Sequence, residues 1–404
     1  MKIISVVGAR PNFIKIAPFK RAIEDYNISK SRFQASVITN ENSVEHILVH
    51  TGQHYDDRMS EAFFQQLGIK QADINLGIGS GSHSEQVGLT MIEFEKVLNK
   101  EKPDWVVIVG DVNAILACSV TSKKENIKCC HIEAGLRSGD MSMPEEINRL
   151  VADRISDLLL TPDPISTENL LNEGIPESKI RFVGNIMIDT LDSNYEKALK
   201  LDIGNILTHN HCDNGSALKL RHGSTGLRLT KPESFAILTL HRPSNVDDRE
   251  ILTSLVKFLI NEVVKEITLI WTLHPRTKKM LLQFGLMDEV LKTSNLVLLE
   301  PVGYLEMLKL NMNARIVLTD SGGLQEECTV LGTPCLTMRR NTERPITLRE
   351  NGGTNVLVGN SVERIRKEFK AALVQKRKPV RPDFWDGHTA GRCLQAILDY
   401  NVDS

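Results

Sequence analysis

The feature that most limits the fold is a repeated alternation. Short, continuous apolar runs rich in Val and Ile alternate with longer segments of helical period. In the first half the runs lie at residues 3–7, 47–51, 105–109, 128–132, 157–160 and 180–183. In the second half they lie at 235–240, 267–273, 295–299, 315–319, 334–338 and 354–358. They are apolar throughout rather than alternately apolar and polar. Strands of a parallel sheet, covered by helices on both faces, have this character. Intervening segments such as 84–99 fit crossover helices. The 404 residues also exceed the roughly 250–300 over which a single core keeps growing, so two domains are expected. The fold expected is therefore α/β, with two Rossmann-like domains facing a cleft. Residues 202–232, rich in Asn, His, Gly and Lys with little periodicity, read as an irregular insertion beside the domain boundary.

Composition narrows the function classes. The apolar share of 41% excludes a disordered chain. Lys plus Arg number 49 and Asp plus Glu 51, a net charge of −2, which argues against a nucleic-acid partner. The apolar stretch at 105–109 is cut by Asp111 and Asn113, far short of the ~20 residues that cross a membrane. The N-terminus runs directly into a strand-like segment, with no secretory h-region. The seven cysteines are scattered, with Cys129 and Cys130 adjacent and no CxxC. Reduced, buried thiols in a cytoplasmic protein are expected.

In parallel α/β sheets, ligands collect at the carboxyl ends of the strands. The residues just after each run are therefore the ones to inspect. After 3–7 comes GARPNFIK, a strand–turn–helix with one glycine rather than a dinucleotide fingerprint. Arg10 and Lys15 there make either an anion site at a helix N-terminus or an ordinary charged helix surface. Asp111 follows 105–109 and Glu133 follows 128–132. Each alone reads as a helix cap; together, with Glu145 twelve residues beyond Glu133, they read as carboxylates for proton transfer. His241-Arg242 and His274-Pro275-Arg276 follow two strands of the second half and suit anion contact. Ser321-Gly322-Gly323 opens a helix, where exposed N–H groups hold phosphate, although a plain N-cap at Asp320 or Ser321 would look the same. Glu327 lies one to two turns further, within reach of ribose hydroxyls, and Arg344 sits on a later loop. The glycines at 77–81 read as a loop. His46 and His50 lie in a strand-like run without HExxH, and His209, His211 and Cys212 lie in irregular sequence, so no metal site is expected.

Taken together, the stretches VVGARPNFIKIAP, HTGQHYDDRMSEAFF, GDVNAILA, HIEAGLRSGDMSMPEEINR, VGNIMIDTL, TLHRPSNVDD, LTDSGGLQEE and NTERPITL resemble the non-hydrolysing UDP-N-acetylglucosamine 2-epimerases. They occur in family order from near residue 4 to near residue 358. The resemblance implies a GT-B, glycogen-phosphorylase-like architecture. It implies a first domain at 1–184, a UDP-binding domain at 185–379, and residues 380–404 packing back onto the first. It places Asp111, Glu133, Glu145 and His241 in catalysis. Arg10, Lys15, His274, Ser321, Gly322, Gly323, Glu327 and Arg344 fall on its substrate contacts. Gln53 and His54 fall where some bacterial members bind a second UDP-N-acetylglucosamine as activator. It further implies a homodimer, a UDP-sugar substrate, and no NAD, metal or membrane partner. Departures at Val302 and Gly303, and a shorter link from Glu133 to Glu145, leave room for a related acidic or deoxy UDP-amino sugar. A hydrolysing 2-epimerase and a GT-B glycosyltransferase are the rival expectations.

Overall fold

The computed structural model describes residues 1–34, 43–52, 71–212 and 233–400. The chain forms two compact units. Unit 1 comprises Met1–Ser193 together with Pro382–Ser404, and unit 2 is Asn194–Arg381.

Unit 1 is built on a parallel sheet of β1 (Lys2–Val7), β2 (Glu45–His50), β3 (Ile74–Asn75), β4 (Trp105–Val109), β5 (Lys128–Ile132), β6 (Leu158–Thr161) and β7 (Ile180–Phe182). Their order is β3-β2-β1-β4-β5-β6-β7. β4 explains the continuous apolar pattern: all five residues of WVVIV are 0% exposed. Each Val or Ile so buried contributes about 1.5–3 kcal/mol. The helix His83–Glu101, read from sequence as 84–99, begins with a capping box in which Ser82 accepts from Glu85 N at 3.2 Å and Glu85 accepts from Ser82 N at 2.8 Å. It packs on the helix Asn113–Lys124, which in turn packs on Pro144–Ile155.

Unit 2 is built on β8 (Phe235–Thr239), β9 (Thr268–Thr272), β10 (Leu296–Leu299), β11 (Ile316–Thr319), β12 (Cys335–Thr337) and β13 (Asn355–Leu357). The order is β10-β9-β8-β11-β12-β13, again parallel. In each sheet the order reverses once, between β1 and β4 in unit 1 and between β8 and β11 in unit 2. Loops leaving those neighbouring strands diverge and open the crevice in which parallel sheets receive ligands.

Two expectations are corrected. The division falls inside the helix Ile186–Leu199, not ahead of it at residue 184. The first turns of that helix belong to unit 1. Ile186, Met187, Ile188 and Leu191 are buried, and Asp189 accepts from Thr389 N at 3.1 Å and Ala390 N at 2.7 Å at the start of the returning helix Thr389–Tyr400. Trp385 in the same return is 1% exposed and donates to the Pro162 carbonyl at 3.0 Å. The Tyr400 ring meets Trp105 of β4 at 5.1 Å. Secondly, the segment read as an irregular insertion from 202 contains a helix, Ile203–His209, capped by Asp202, which accepts from Asn205 N at 2.8 Å. Ile203, Ile206 and Leu207 drive it, packing on Phe235 and Ile237. Residues 213–232 lie outside the described part. The seven cysteines are free and buried. Among the described residues no helix is long and apolar enough to cross a membrane.

Candidate active site

In unit 1 the loops after β1, β4 and β5 bring the sequence-read residues together. Asn12 sets the first turn of the helix Arg10–Gln34: its Oδ1 accepts from Ala9 N at 3.0 Å and its Nδ2 donates to Val109 O at 2.6 Å. Arg10 opens that helix, and its side chain lies outside the described part. Lys15, one turn further, is buried and forms an ion pair with Glu133 Oε2. Its charge is thus matched by a carboxylate, a partner that the sequence reading did not name. Gly110 makes the approach possible. It has φ +81°, and a Cβ there would sit 2.9 Å from Asn12 Nδ2 and 3.3 Å from Lys15 Nζ.

Glu133 is held in the left-handed region, φ +73°, which costs a residue with a side chain about 1–2 kcal/mol. Its Oε1 is buried with no hydrogen-bond partner in the described structure, an uncommon state for a carboxylate oxygen. Asp111 follows Gly110 on the neighbouring strand, β4 and β5 being paired as Val109↔Ile132. Asp111 Oδ2 accepts from Arg149 Nη1 at 2.6 Å. Arg149 is 1% exposed and also pairs with Glu146. Glu146 accepts from Ser138 N at 3.0 Å and Gly139 N at 2.9 Å. Burial alone would raise the Glu146 carboxyl, but Arg149 and these amides hold it below its ordinary value. Glu145 is half-buried in the first turn of the same helix. Sequence reading missed Glu146 and Arg149 as a fixed pair; their i, i+3 spacing was the available signal.

In unit 2, Asp320 follows β11 and is fully buried. It does not cap the next helix. It accepts from His241 N at 2.9 Å, Arg242 N at 2.8 Å and Asn245 Nδ2 at 3.1 Å, and its Oδ1 lies 2.8 Å from His241 Nδ1. Burial pushes its carboxyl up, but the His241 ring and the two amides outweigh that and hold it low. The result is an imidazole fixed through Nδ1, with Nε2 left to face a ligand. The His274 ring lies 5.3 Å away, and its Nδ1 caps the helix Pro275–Gln283 by accepting from Arg276 N at 3.2 Å.

Ser321 is the N-cap of Gly322–Leu331 and makes no side-chain capping bond. Arg344 packs over this start. A Cβ on Gly322 would lie 2.6 Å from Arg344 Nη1, so a side chain there would have to displace the guanidinium. Gly323 follows within the first turn. Arg344 is buried and paired with Glu326, Nε to Oε1 2.9 Å, and with Glu343. Two carboxylates thus share Arg344, partners that the sequence reading did not name. Gln53 and His54 lie outside the described residues.

Glu327 is buried, and this lifts its carboxyl from 4.5 to about 7, with the Glu326 charge adding and Tyr304 and Asn311 opposing. The native state thus binds this proton more tightly than the unfolded chain. The penalty for burial is absent below the unfolded value near 4.5, grows as pH rises, and is complete above about 7. Glu327→Gln, neutral at every pH, is expected to stabilise the fold by on the order of 3 kcal/mol at pH 8 and little at pH 4.5. Thermal unfolding at the two pH values checks it. A variant no more stable at pH 8 than the parent would remove this account of Glu327.

Two parallel-sheet units, with salt-bridged carboxylates at one switch point and an Asp–His pair at the other, define a GT-B-like α/β enzyme of the nucleotide-sugar class. The chain belongs to the UDP-N-acetylglucosamine 2-epimerase family, whose model matches residues 36–398. It is 41% identical over 398 residues to the UDP-N-acetylglucosamine 2-epimerase of Methanococcus maripaludis, covering 98% of each chain. It is 38% identical over 378 residues, 92% of each chain, to the UDP-2,3-diacetamido-2,3-dideoxy-D-glucuronate 2-epimerase of Pseudomonas aeruginosa. The Methanocaldococcus jannaschii UDP-GlcNAc 2-epimerase, solved in complex with UDP-GlcNAc and UDP, superposes with a TM-score of 0.83 at 40% identity, over 99% of this chain and 100% of that one.

Proposed function

We propose that the chain catalyses the reversible, non-hydrolysing epimerisation of UDP-N-acetylglucosamine at C2, giving UDP-N-acetylmannosamine. The observation that carries this reading is the pair of carboxylates at adjacent strand ends of unit 1. Asp111 is braced by Arg149. Glu133 is braced by Lys15 through one oxygen, and its other oxygen has no hydrogen-bond partner among the described residues. Two separately braced carboxylates suit a carbon that must lose a proton on one face and regain it on the other. The family membership supports the substrate, as do UDP-GlcNAc and UDP in the M. jannaschii relative.

The C2 proton lies next to no carbonyl and is barely acidic. Expelling UDP first removes that difficulty. The C1–O electrons leave with the diphosphate, and the ring oxygen shares the positive charge. Asp111 takes the C2 proton, and the C2–H electrons close the C1–C2 double bond of a 2-acetamidoglucal. For return, Glu133 or Glu145 delivers a proton to the opposite face, and a UDP oxygen recaptures C1. His241 Nε2, His274, Arg10 and the N–H groups of the Ser321–Gly323 turn meet the charge on departing UDP. Glu327 serves the ribose hydroxyls, and Arg344 holds the helix start against Glu326 and Glu343. Neither nicotinamide nor metal enters this route.

Incubation with UDP-N-acetylglucosamine in D2O, followed by NMR, tests it. UDP-N-acetylmannosamine carrying deuterium at C2 is expected. Free N-acetylmannosamine with UDP would make the enzyme a hydrolase. Exchange confined to UDP-2,3-diacetamido-2,3-dideoxyglucuronate would move the substrate to the acidic sugar. Absence of exchange with either would sink the epimerase reading.

A further inference from the structure

Beneath the carboxylates of unit 1 lies a buried charged cluster that this chemistry does not use. His131, on β5, and Asp153, on the helix Pro144–Ile155, are both essentially inaccessible. The His131 ring joins two acceptors: Nδ1 lies 2.6 Å from Asp153 Oδ1, and Nε2 lies 2.9 Å from the Gly110 carbonyl. A carbonyl can only accept, so Nε2 donates. Asp153 Oδ2 accepts from Gly135 N at 3.0 Å and from Arg137 Nη1 at 2.7 Å. Arg137 in turn grips Glu173 with a bidentate pair at 2.7 and 2.8 Å. Burial pushes the Asp153 carboxyl up, but His131 and Arg137 outweigh it and hold the group in its anionic form.

Parts of this cluster lie on the carriers of three different reacting groups. Gly110 immediately precedes Asp111. Gly135 and Arg137 belong to the loop that leaves Glu133 at its positive φ. Asp153 rides on the helix that carries Glu145 and also Arg149, the cation on Asp111. Resting on the epimerase reading, we propose that His131 and Asp153 are positioning residues, a strut that fixes the Gly110–Asp111 turn against Glu133 so that opposite faces of C2 are each served. A pair that merely filled the core would govern stability alone. A strut governs how the glycal partitions, because elimination needs only the base on one face of C2, whereas epimerisation also needs the acid in place on the other.

The test uses His131→Gln and Asp153→Asn in the full chain. A displacement of about an ångström at a reacting group costs about 100-fold. The expected result is a fall in kcat of about 10- to 100-fold, KM for the UDP-sugar within about twofold of the parent, and a raised ratio of released 2-acetamidoglucal to epimer. A changed melting temperature with kcat and the glycal ratio unmoved would overturn the strut. Wild-type turnover in the same assay judges the epimerase reading separately. Crystal structures of the variants judge the strut without reference to turnover. An unmoved Gly110 carbonyl and an intact Asp111–Arg149 bond would overturn it, and a turned Gly110 peptide supports it. If His131→Gln fails to fold, Asp153→Asn, which keeps the shape and removes the charge, decides between strut and filler by the same measurements.

Discussion

Asp111→Asn is expected to lower C2 epimerisation by about a thousandfold while leaving the affinity for UDP within about threefold. General-base catalysis contributes roughly 10²–10⁴, and an amide in the same position cannot take the proton. The replacement is nearly isosteric. Arg149 keeps its partner Glu146, so no buried guanidinium is stranded. The helix start and His241, which meet UDP in our mechanism, belong to unit 2 and are untouched. Deuterium wash-in at C2 gives the rate, and calorimetry with UDP gives the affinity. A tenfold or greater loss of UDP affinity would remove Asp111 from the role of C2 base. Glu133→Gln and Glu145→Gln, the other two carboxylates of the mechanism, belong in the same experiment.

The second large effect concerns Asp320. Asp320→Asn replaces an acceptor surrounded by donors with a group that brings two donors of its own. The backbone amides of His241 and Arg242, and Asn245 Nδ2, would then face an NH2 or lose a partner in a dry site. Leaving a buried donor unsatisfied in this way costs about 1–3 kcal/mol. The imidazole of His241 also loses the group that fixes its direction, for which a loss of roughly 100-fold or more in turnover is reasonable. The stability effect has a definite pH window. The Asp320 carboxyl is lowered from 3.8 in the native state, so its contribution is complete above that unfolded value and is lost as pH falls through the native one. Parent and variant should therefore differ most near neutrality and converge in acid. A denaturation series from pH 3 to 8 that showed a constant difference would refute this account.

The sheets were legible because their strands are buried on both faces. A run such as WVVIV can hardly be anything else once helices flank it. β3 was not legible, since two residues carry no period. The helix Ile203–His209 was readable in principle from Asp202 and the i, i+3, i+4 set Ile203, Ile206 and Leu207, but the polar sequence after it masked the pattern. Position after a strand located Asp111, Glu133 and His241. It said nothing of their partners. Lys15 and Glu133 are 118 residues apart, and Arg149 lies 38 residues beyond Asp111. Pairing at such distances is decided by strand order, which spacing does not carry. For the same reason the sequence did not show that Lys15 and Arg344 are each matched by carboxylates of their own unit.

The return of Pro382–Ser404 to unit 1 sets an order on synthesis. The sheet of unit 1 leaves the ribosome before unit 2, yet Trp385 and the helix Thr389–Tyr400, which complete its packing, are translated after unit 2. At about 5–20 residues per second, residues 194–381 take on the order of 10–40 s to emerge. All of unit 2 is contiguous and is made within that interval. The half translated first is therefore completed only after unit 2 has been made, and until residues 382–400 emerge it exposes the surface that the returning helix covers. Early termination of translation anywhere in unit 2 would leave an unfinished N-terminal unit, a natural substrate for chaperones and proteases.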